Sequence, residues 1–171
     1  MKARRTTIFA ALAATVVAGV LAAAGSAGTN GIANGNIVFS SINPADGMSD
    51  IYVMKATGTA RANITHDDAV RKDLTPELSP DGSKVVFTRY SAGGGSSIML
   101  VNSNGTGLKN LTAPATSEST NVDPSWSPDG SHIVFASNRD GNFDLYSIKL
   151  GSPQADHLTK TAAPAQNLDP S

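Results

Sequence analysis

The sequence contains no cysteine, and that absence closes several routes at once. Without thiols there is no disulfide framework, no Cys-type zinc finger, no iron–sulfur cluster and no thiol nucleophile. Aromatic residues are scarce, nine in 171, and there is no basic excess: 13 Lys plus Arg stand against 14 Asp plus Glu, leaving a formal charge of −1. Such a chain has little with which to neutralise a phosphate backbone, so nucleic acid is not the expected partner. No Ser has Gly at both flanking positions of G-x-S-x-G, which excludes a serine-hydrolase elbow within these residues. His66, His132 and His157 are scattered and followed by Asp, Ile and Leu, so the two-imidazole helix face of H-E-x-x-H is missing as well. The run Gly93-Gly94-Gly95-Ser96 lacks the Gly-Lys-Ser/Thr of a phosphate loop and reads as a flexible hairpin. What is present is a 17.5 kDa chain, one ordinary domain in size, rich in Gly, Ser, Asn, Asp and Pro. That composition suits many short strands joined by turns.

The N-terminus is organised differently from the rest. Lys2, Arg4 and Arg5 precede an uncharged run over residues 8–21, and small residues follow over 22–28. This is the layout of a secretory signal peptide, assigned to residues 1–28, with small-x-small cleavage sites ending at Ala24 or Ala27. The apolar run is shorter than the ~20 residues that span a bilayer, so no stable membrane insertion is expected after cleavage. No cysteine follows the run to take a lipid, and Thr6-Thr7 stands where a twin-arginine signal wants a bulky apolar pair. Without the three n-region cations the chain keeps 10 basic and 14 acidic residues and sits near −4. An exported protein, periplasmic or extracellular, is expected.

Residues 29–171 repeat. Ile37-Val38-Phe39 returns as Val85-Val86-Phe87 and as Ile133-Val134-Phe135, in steps of 48 residues. Asp50-Ile51-Tyr52 has counterparts in Ser97-Ile98-Met99 and Asp144-Leu145-Tyr146, and Ile64-Thr65 in Leu111-Thr112 and Leu158-Thr159, each 47 apart. Self-similarity at such a period marks a repeat architecture. Within a unit the apolar residues alternate at period two, and no stretch offers a helical stripe. The third unit divides into strands over residues 123–127, 132–137, 143–150 and 155–159, joined at a Pro-Asp-Gly turn, at Asp140-Gly141 and at Gly151-Ser152-Pro153. A four-stranded antiparallel meander of about 47–48 residues, repeated in tandem, is the blade of a β-propeller.

The blocks P-x-W-S-P-D-G, I-V-F, D-x-Y and L-T resemble the TolB-like six-bladed β-propeller repeat, which is related to WD-repeat-like blades. The clearest copy spans residues 123–159. In the second, Leu78 replaces the Trp and Met99 the Tyr, and the first lacks the W-S-P-D-G block. The resemblance extends over residues 31–171. It implies an all-β fold in three blades, at about 31–65, 75–112 and 123–159, the first without its first strand. Pro80, Asp81, Gly82, Trp126, Pro128, Asp129 and Gly130 are read as structural positions of the repeat, the two Asp as turn formers and Trp126, with Leu78, as inter-blade packing.

Propellers close with 4 to 8 blades, and this chain supplies three. Asn167-Leu168-Asp169-Pro170-Ser171 repeats Asn121-Val122-Asp123-Pro124-Ser125, so residues 167–171 begin a fourth blade or a closing strand. The chain reads as the C-terminally truncated part of a longer protein. A three-bladed chain that pairs with itself into a six-bladed ring is the alternative, disfavoured because most oligomers bury completed folds.

Function is sought on loops. In a meander, the loop between strands two and three and the loop between blades leave one end, which gathers residues 41–48, 66–73, 90–96, 113–121, 138–142 and 160–167. The contact candidates there are Asp67, Asp68, Arg71, Arg89, Tyr90, Glu118, Arg139, Asp140 and Lys160. Asn138, Asp140, Asn142 and Asp144 alternate oxygen ligands as a calcium loop does, but a Gly-containing turn explains them, and no metal is assigned. N-x-T occurs at Asn63, Asn104 and Asn110; two of these fall on the repeat and read as structural. The resemblance implies a non-enzymatic exported scaffold, without cofactor, that binds another envelope or secreted protein or peptide. The alternatives are the propeller of a prolyl-oligopeptidase-like serine peptidase whose catalytic domain lies beyond residue 171, and a carbohydrate-active propeller enzyme such as a lyase.

Overall fold

Each repeat places β-branched and aromatic residues on alternate positions and ends each run with Gly, Pro, Asn or Asp, which is the patterning of a half-buried antiparallel sheet. In the computed structural model, which describes residues 35–44, 46–66, 71–112, 119–160 and 167–170, these runs form eleven strands and, among the described residues, no helix. The first sheet contains β1 (Asn36–Ile42), β2 (Ser49–Lys55) and β3 (Ala62–Asn63). The second contains β4 (Lys72–Leu78), β5 (Lys84–Tyr90), β6 (Ser96–Asn102) and β7 (Lys109–Asn110). The third contains β8 (Asn121–Trp126), β9 (His132–Ser137), β10 (Asp144–Lys149) and β11 (Ala155–His157). Every sheet is a meander in chain order, three strands in the first and four in the others. Among the described residues the first unit has no strand on the inner side of β1. Register repeats with the sequence: Phe39 faces Tyr52, Phe87 faces Met99 and Phe135 faces Tyr146. The chain is a partial propeller of three blades.

Successive blades bury their apolar faces on one another. Ile51, Val53 and Ile64 of the first blade pack with Val85, Phe87, Met99 and Val101 of the second, with Val38 and Leu78 at the margin. On its other face the second blade presents Val86 and Ile98 to Trp126, Ile133, Phe135, Tyr146 and Ile148 of the third. The alternation of the triplet divides the work: in Val85-Val86-Phe87 the outer two residues face backwards and the middle one forwards, and all three are fully buried. Leu78 and Trp126, equivalent in sequence, each sit at such a joint. Trp126 adds a clasp, its indole N–H donating to the Glu77 carbonyl at 3.2 Å and its amide to the Glu77 carboxylate at 3.0 Å. Burial is the main influence on Glu77 and raises its pKa, against which the bonds from Trp126 and Ser125 pull down.

Both inner strands are bulged. Pairing shifts between Leu74 and Glu77 in β4 and between Val122 and Ser125 in β8. Each bulge holds a non-glycine residue at positive φ before a proline, Thr75 at 49° and Asp123 at 53°. Proline has no amide to give to a ladder and is accommodated where pairing is already interrupted. Asp169, before Pro170, has φ 55° and so carries the same backbone signature. Strand boundaries of the third unit differ from the sequence reading by one or two residues: β8 covers Asn121–Trp126 rather than 123–127 and β10 covers Asp144–Lys149 rather than 143–150, with Asn121 bonded to Ser96 of the preceding blade through both its amide and its side chain. The last strand stops at His157, where Leu158 and Thr159 turn to bond the Leu145 carbonyl.

The Ser-Pro-Asp-Gly turns are built alike. Gly82 N–H donates to the Ser79 carbonyl and Gly130 N–H to the Ser127 carbonyl, each at 2.8 Å, with the glycines at φ 70° and 69°. Asp81 accepts from the Ser79 and Ser83 hydroxyls and from the Ser83 amide, and Asp129 takes the same bonds from Ser127 and Ser131. The Ser79 bond leads in holding the Asp81 carboxyl down to about 2, and the Ser127 bond leads in lowering that of Asp129. A carboxyl held low contributes stability that is whole above its unfolded value near 4 and disappears as pH falls through about 2. Asp81→Asn is therefore expected to cost about 0.5–1 kcal/mol at pH 7, small because the group is exposed, and progressively less as pH falls from 4 through about 2. Urea titrations of both proteins at several pH values check this; a penalty undiminished between pH 7 and pH 2 contradicts it.

All three N-x-T sequences are Asx turns, in which the Asn carboxamide oxygen accepts the amide of the Thr two residues on: Asn63 from Thr65, Asn104 from Thr106 and Asn110 from Thr112. The Thr hydroxyls of the repeat then accept the amides of Ile51, Ile98 and Leu145, tying each outer strand to its neighbour.

Candidate loop-face contact site

Consecutive turns of an antiparallel meander alternate ends, so the β1–β2, β5–β6 and β9–β10 loops share an end with the connections between blades. Around that end the polar residues of the inner strands collect. Arg89 lies within β5 and is only 5 % exposed, not on a loop. It is paired across the ladder with Asp73 of β4, its Nε and one terminal nitrogen donating to the two carboxylate oxygens at 2.8 and 2.7 Å. Its guanidinium also lies 5.4 Å from the centre of the Phe87 ring. As a surface contact Arg89 is thus corrected: its charge is spent inside the blade.

Tyr90, the next residue, is exposed at the strand end. Burial of part of its ring raises the hydroxyl pKa, and the charge of Asp123 adds to the shift. Asp123 is itself raised, first by burial and then by the charge and hydrogen bond of Asp169. Two carboxyls from equivalent positions of successive inner strands therefore interact, with the Tyr90 phenol beside Asp123. Asn167 fixes the second of these strands, its amide donating to the Phe143 carbonyl at 2.9 Å and its side chain to Asp144 and Thr159.

Arg139 is half-buried. It crosses the Phe135 and Tyr146 rings at 5.2 and 4.6 Å and donates to Ser137 and, at 2.8 Å, to the Asn121 side chain. Burial lowers its pKa, with Tyr146 and Asp140 opposing. Asp140 accepts the Tyr146 hydroxyl at 2.6 Å and stands 3.4 Å from His157, which contacts Asp144 at 3.0 Å and stacks on Tyr146 with 4.4 Å between ring centres. Burial first, and then the Asp140 bond, raises the Tyr146 hydroxyl. Asn138 accepts the Thr120 amide, while Asp140 and Asp144 both face His157. Arg71 and Lys160 are exposed. Asp67, Asp68 and Glu118 lie outside the described residues, as do residues 1–28.

Sequence reasoning missed Asp73, Asn121 and Arg61. Arg61 covers Tyr52 at 4.2 Å and Phe39 at 5.2 Å on the face of the first blade that turns away from the second. An Arg over the triplet Phe thus recurs in all three blades, supplied from three different sequence positions, which is why no motif betrayed it. Asp169 was visible as the repeat of Asp123.

The family model for the TolB beta propeller domain matches residues 33–162. Among curated proteins, a Protein TolB homolog of Chlorobium luteolum is 27 % identical over 168 residues, covering 74 % of this chain and 37 % of its own. One from Chlorobaculum tepidum is 32 % identical over 114 residues, covering 67 % of this chain and 25 % of its own. The chain thus spans between a quarter and somewhat over a third of the length of these relatives. Among solved structures, a TolB from Agrobacterium tumefaciens matches with a TM-score of 0.64 at 22 % identity, over 75 % of this chain and 43 % of its own. A puromycin hydrolase matches at 0.57 and 22 %, over 74 % of this chain and 22 % of its own. With blades, joints and turn blocks in the order that the family model requires over most of its length, the chain belongs to the TolB β-propeller family.

Proposed function

We propose that this protein is an exported, non-enzymatic scaffold of the cell envelope that binds another protein or peptide through the loop face of its propeller. The observation that carries the reading is the cluster at the inner end of that face. Tyr90, Asp123 and Asp169 offer an aromatic edge, a half-buried acid and an exposed acid, a mixture suited to contact with a polypeptide. Arg71, Arg139, Asp140 and Lys160 belong to loops of the same face in sequence, as do Asp67, Asp68 and Glu118. The basic, apolar and small-residue segments of residues 1–28 support export. Among the described residues no helix is long and apolar enough to cross a membrane.

Fractionation of a bacterial host expressing the full chain tests the compartment. The expected product is outside the cytoplasm, and mass spectrometry finds its N-terminus just after Ala24 or Ala27. Uncleaved chain confined to the cytosol contradicts the proposal.

A further inference from the structure

Tyr90, Asp123 and Arg139 stand on three separate pieces of chain, and one buried side chain ties all three together. Asn121 opens β8 and is fully buried. Its side-chain nitrogen donates to the Ser96 carbonyl of the second blade at 2.7 Å, and its amide donates to the Ser96 hydroxyl at 2.9 Å. That hydroxyl donates in turn to the Asn121 carbonyl at 2.7 Å. The side-chain oxygen of Asn121 accepts from the Ser137 hydroxyl and from the Arg139 guanidinium, both at 2.8 Å. A guanidinium can only donate and a carbonyl can only accept, so these partners fix which way the carboxamide points.

Each tie leads to a contact residue. Ser96 ends the β5–β6 loop that Tyr90 begins, and the two face each other across the hairpin. Asp123 follows Asn121 by two residues, at the bulge of the same strand. Arg139 belongs to the β9–β10 loop, which Asn138 also anchors by accepting the Thr120 amide at 2.7 Å.

The repeat shows what is particular about this position. Its counterpart 48 residues earlier is Asp73, whose carboxylate is taken up by Arg89, the counterpart of Ser137, within one blade. A carboxylate has no hydrogen to give to a carbonyl of the preceding blade, and a carboxamide has. The next copy of the position is again Asn: the Asn167 amide donates to the carbonyl of Phe143, the counterpart of Ser96. Asparagine thus stands where two blades are joined at the loop end.

We infer that Asn121 is the positioning residue of the loop-face contact site, holding the Tyr90 loop, the Asp123 bulge and the Arg139 loop at fixed separations so that a partner meets one preformed surface; this rests on the functional reading above. Loops that are already ordered lose less freedom on binding than independent ones, so the tie contributes to affinity without touching the partner.

Asn121→Asp tests this, because the new carboxylate still accepts from Ser137 and Arg139, as Asp73 does from Arg89, and has nothing to donate to the Ser96 carbonyl. In the purified full chain, hydrogen–deuterium exchange is expected to rise in residues 90–96 and 137–142 and to stay unchanged within β5 and β10. In cells, with a photo-activated cross-linking residue at position 90, the yield of partner adduct is expected to fall about tenfold. Trp126→Phe, at the other end of β8, controls for lost stability and is expected to keep the adduct. If Asn121→Asp does not fold, Ser96→Ala, which removes the hydroxyl from the same joint, is read in its place. An undiminished adduct, an equal loss in Trp126→Phe, or exchange that rises in one loop only overturns the inference. No adduct from the chain with Asn121 intact is a different failure, which removes the functional reading and the inference with it.

Discussion

Trp126→Ala is expected to destabilise the protein by about 3–5 kcal/mol, the cost of emptying a large buried aromatic site. Trp126 is 8 % exposed and packs between the second and third blades with Val86, Ile98, Ile133 and Phe135. Its loss also removes the indole donor from the Glu77 carbonyl. Trp126→Phe separates the two effects, since it keeps most of the packing and loses the indole bond, for about 1–2 kcal/mol. The chain has a single Trp, so the unfolding must be followed by circular dichroism in urea rather than by its fluorescence. A cost below about 1 kcal/mol for the alanine variant would show that the joint does not depend on this residue.

Arg89→Met carries the second large effect, about 3–5 kcal/mol at pH 7, because it strips the counter-charge from a buried carboxylate. Asp73 is 2 % exposed and receives two hydrogen bonds from Arg89. The variant retains an apolar stem of similar length, so lost packing contributes little. Replacing both members by apolar residues, with Asp73→Leu beside Arg89→Met, should recover much of the loss. A double variant no more stable than Arg89→Met alone would place the effect in packing instead.

The blades were legible because their signals are local and repeated. Alternating triplets, Ser-Pro-Asp-Gly turns and the Trp126 and Leu78 positions need only a few residues of context, and three copies average out local noise. Arg89 was not legible as a buried residue. Its partner lies 16 residues earlier, and their meeting depends on a cross-strand register that passes the bulge at Thr75. A one-residue slip would have turned the side chain to the other face. The cation–π contacts escaped for a related reason, since Arg61, Arg89 and Arg139 reach equivalent rings from unequal sequence offsets. Side-chain length lets geometry converge where sequence does not. The Asp123 and Asp169 pair was visible as repetition, yet its closeness required knowing that equivalent inner strands lie side by side.

The loop face is tested most directly by placing a photo-activated cross-linking residue at Tyr90 in the full chain, expressed in cells, and comparing it with the same residue at Gln154. Gln154 lies in the turn between β10 and β11, at the opposite end of the blade. The proposed function predicts a discrete adduct with one protein or peptide of the envelope from position 90, competed away by Asp123→Ala, and none from position 154. Equal labelling from both positions, or none from position 90, would contradict it.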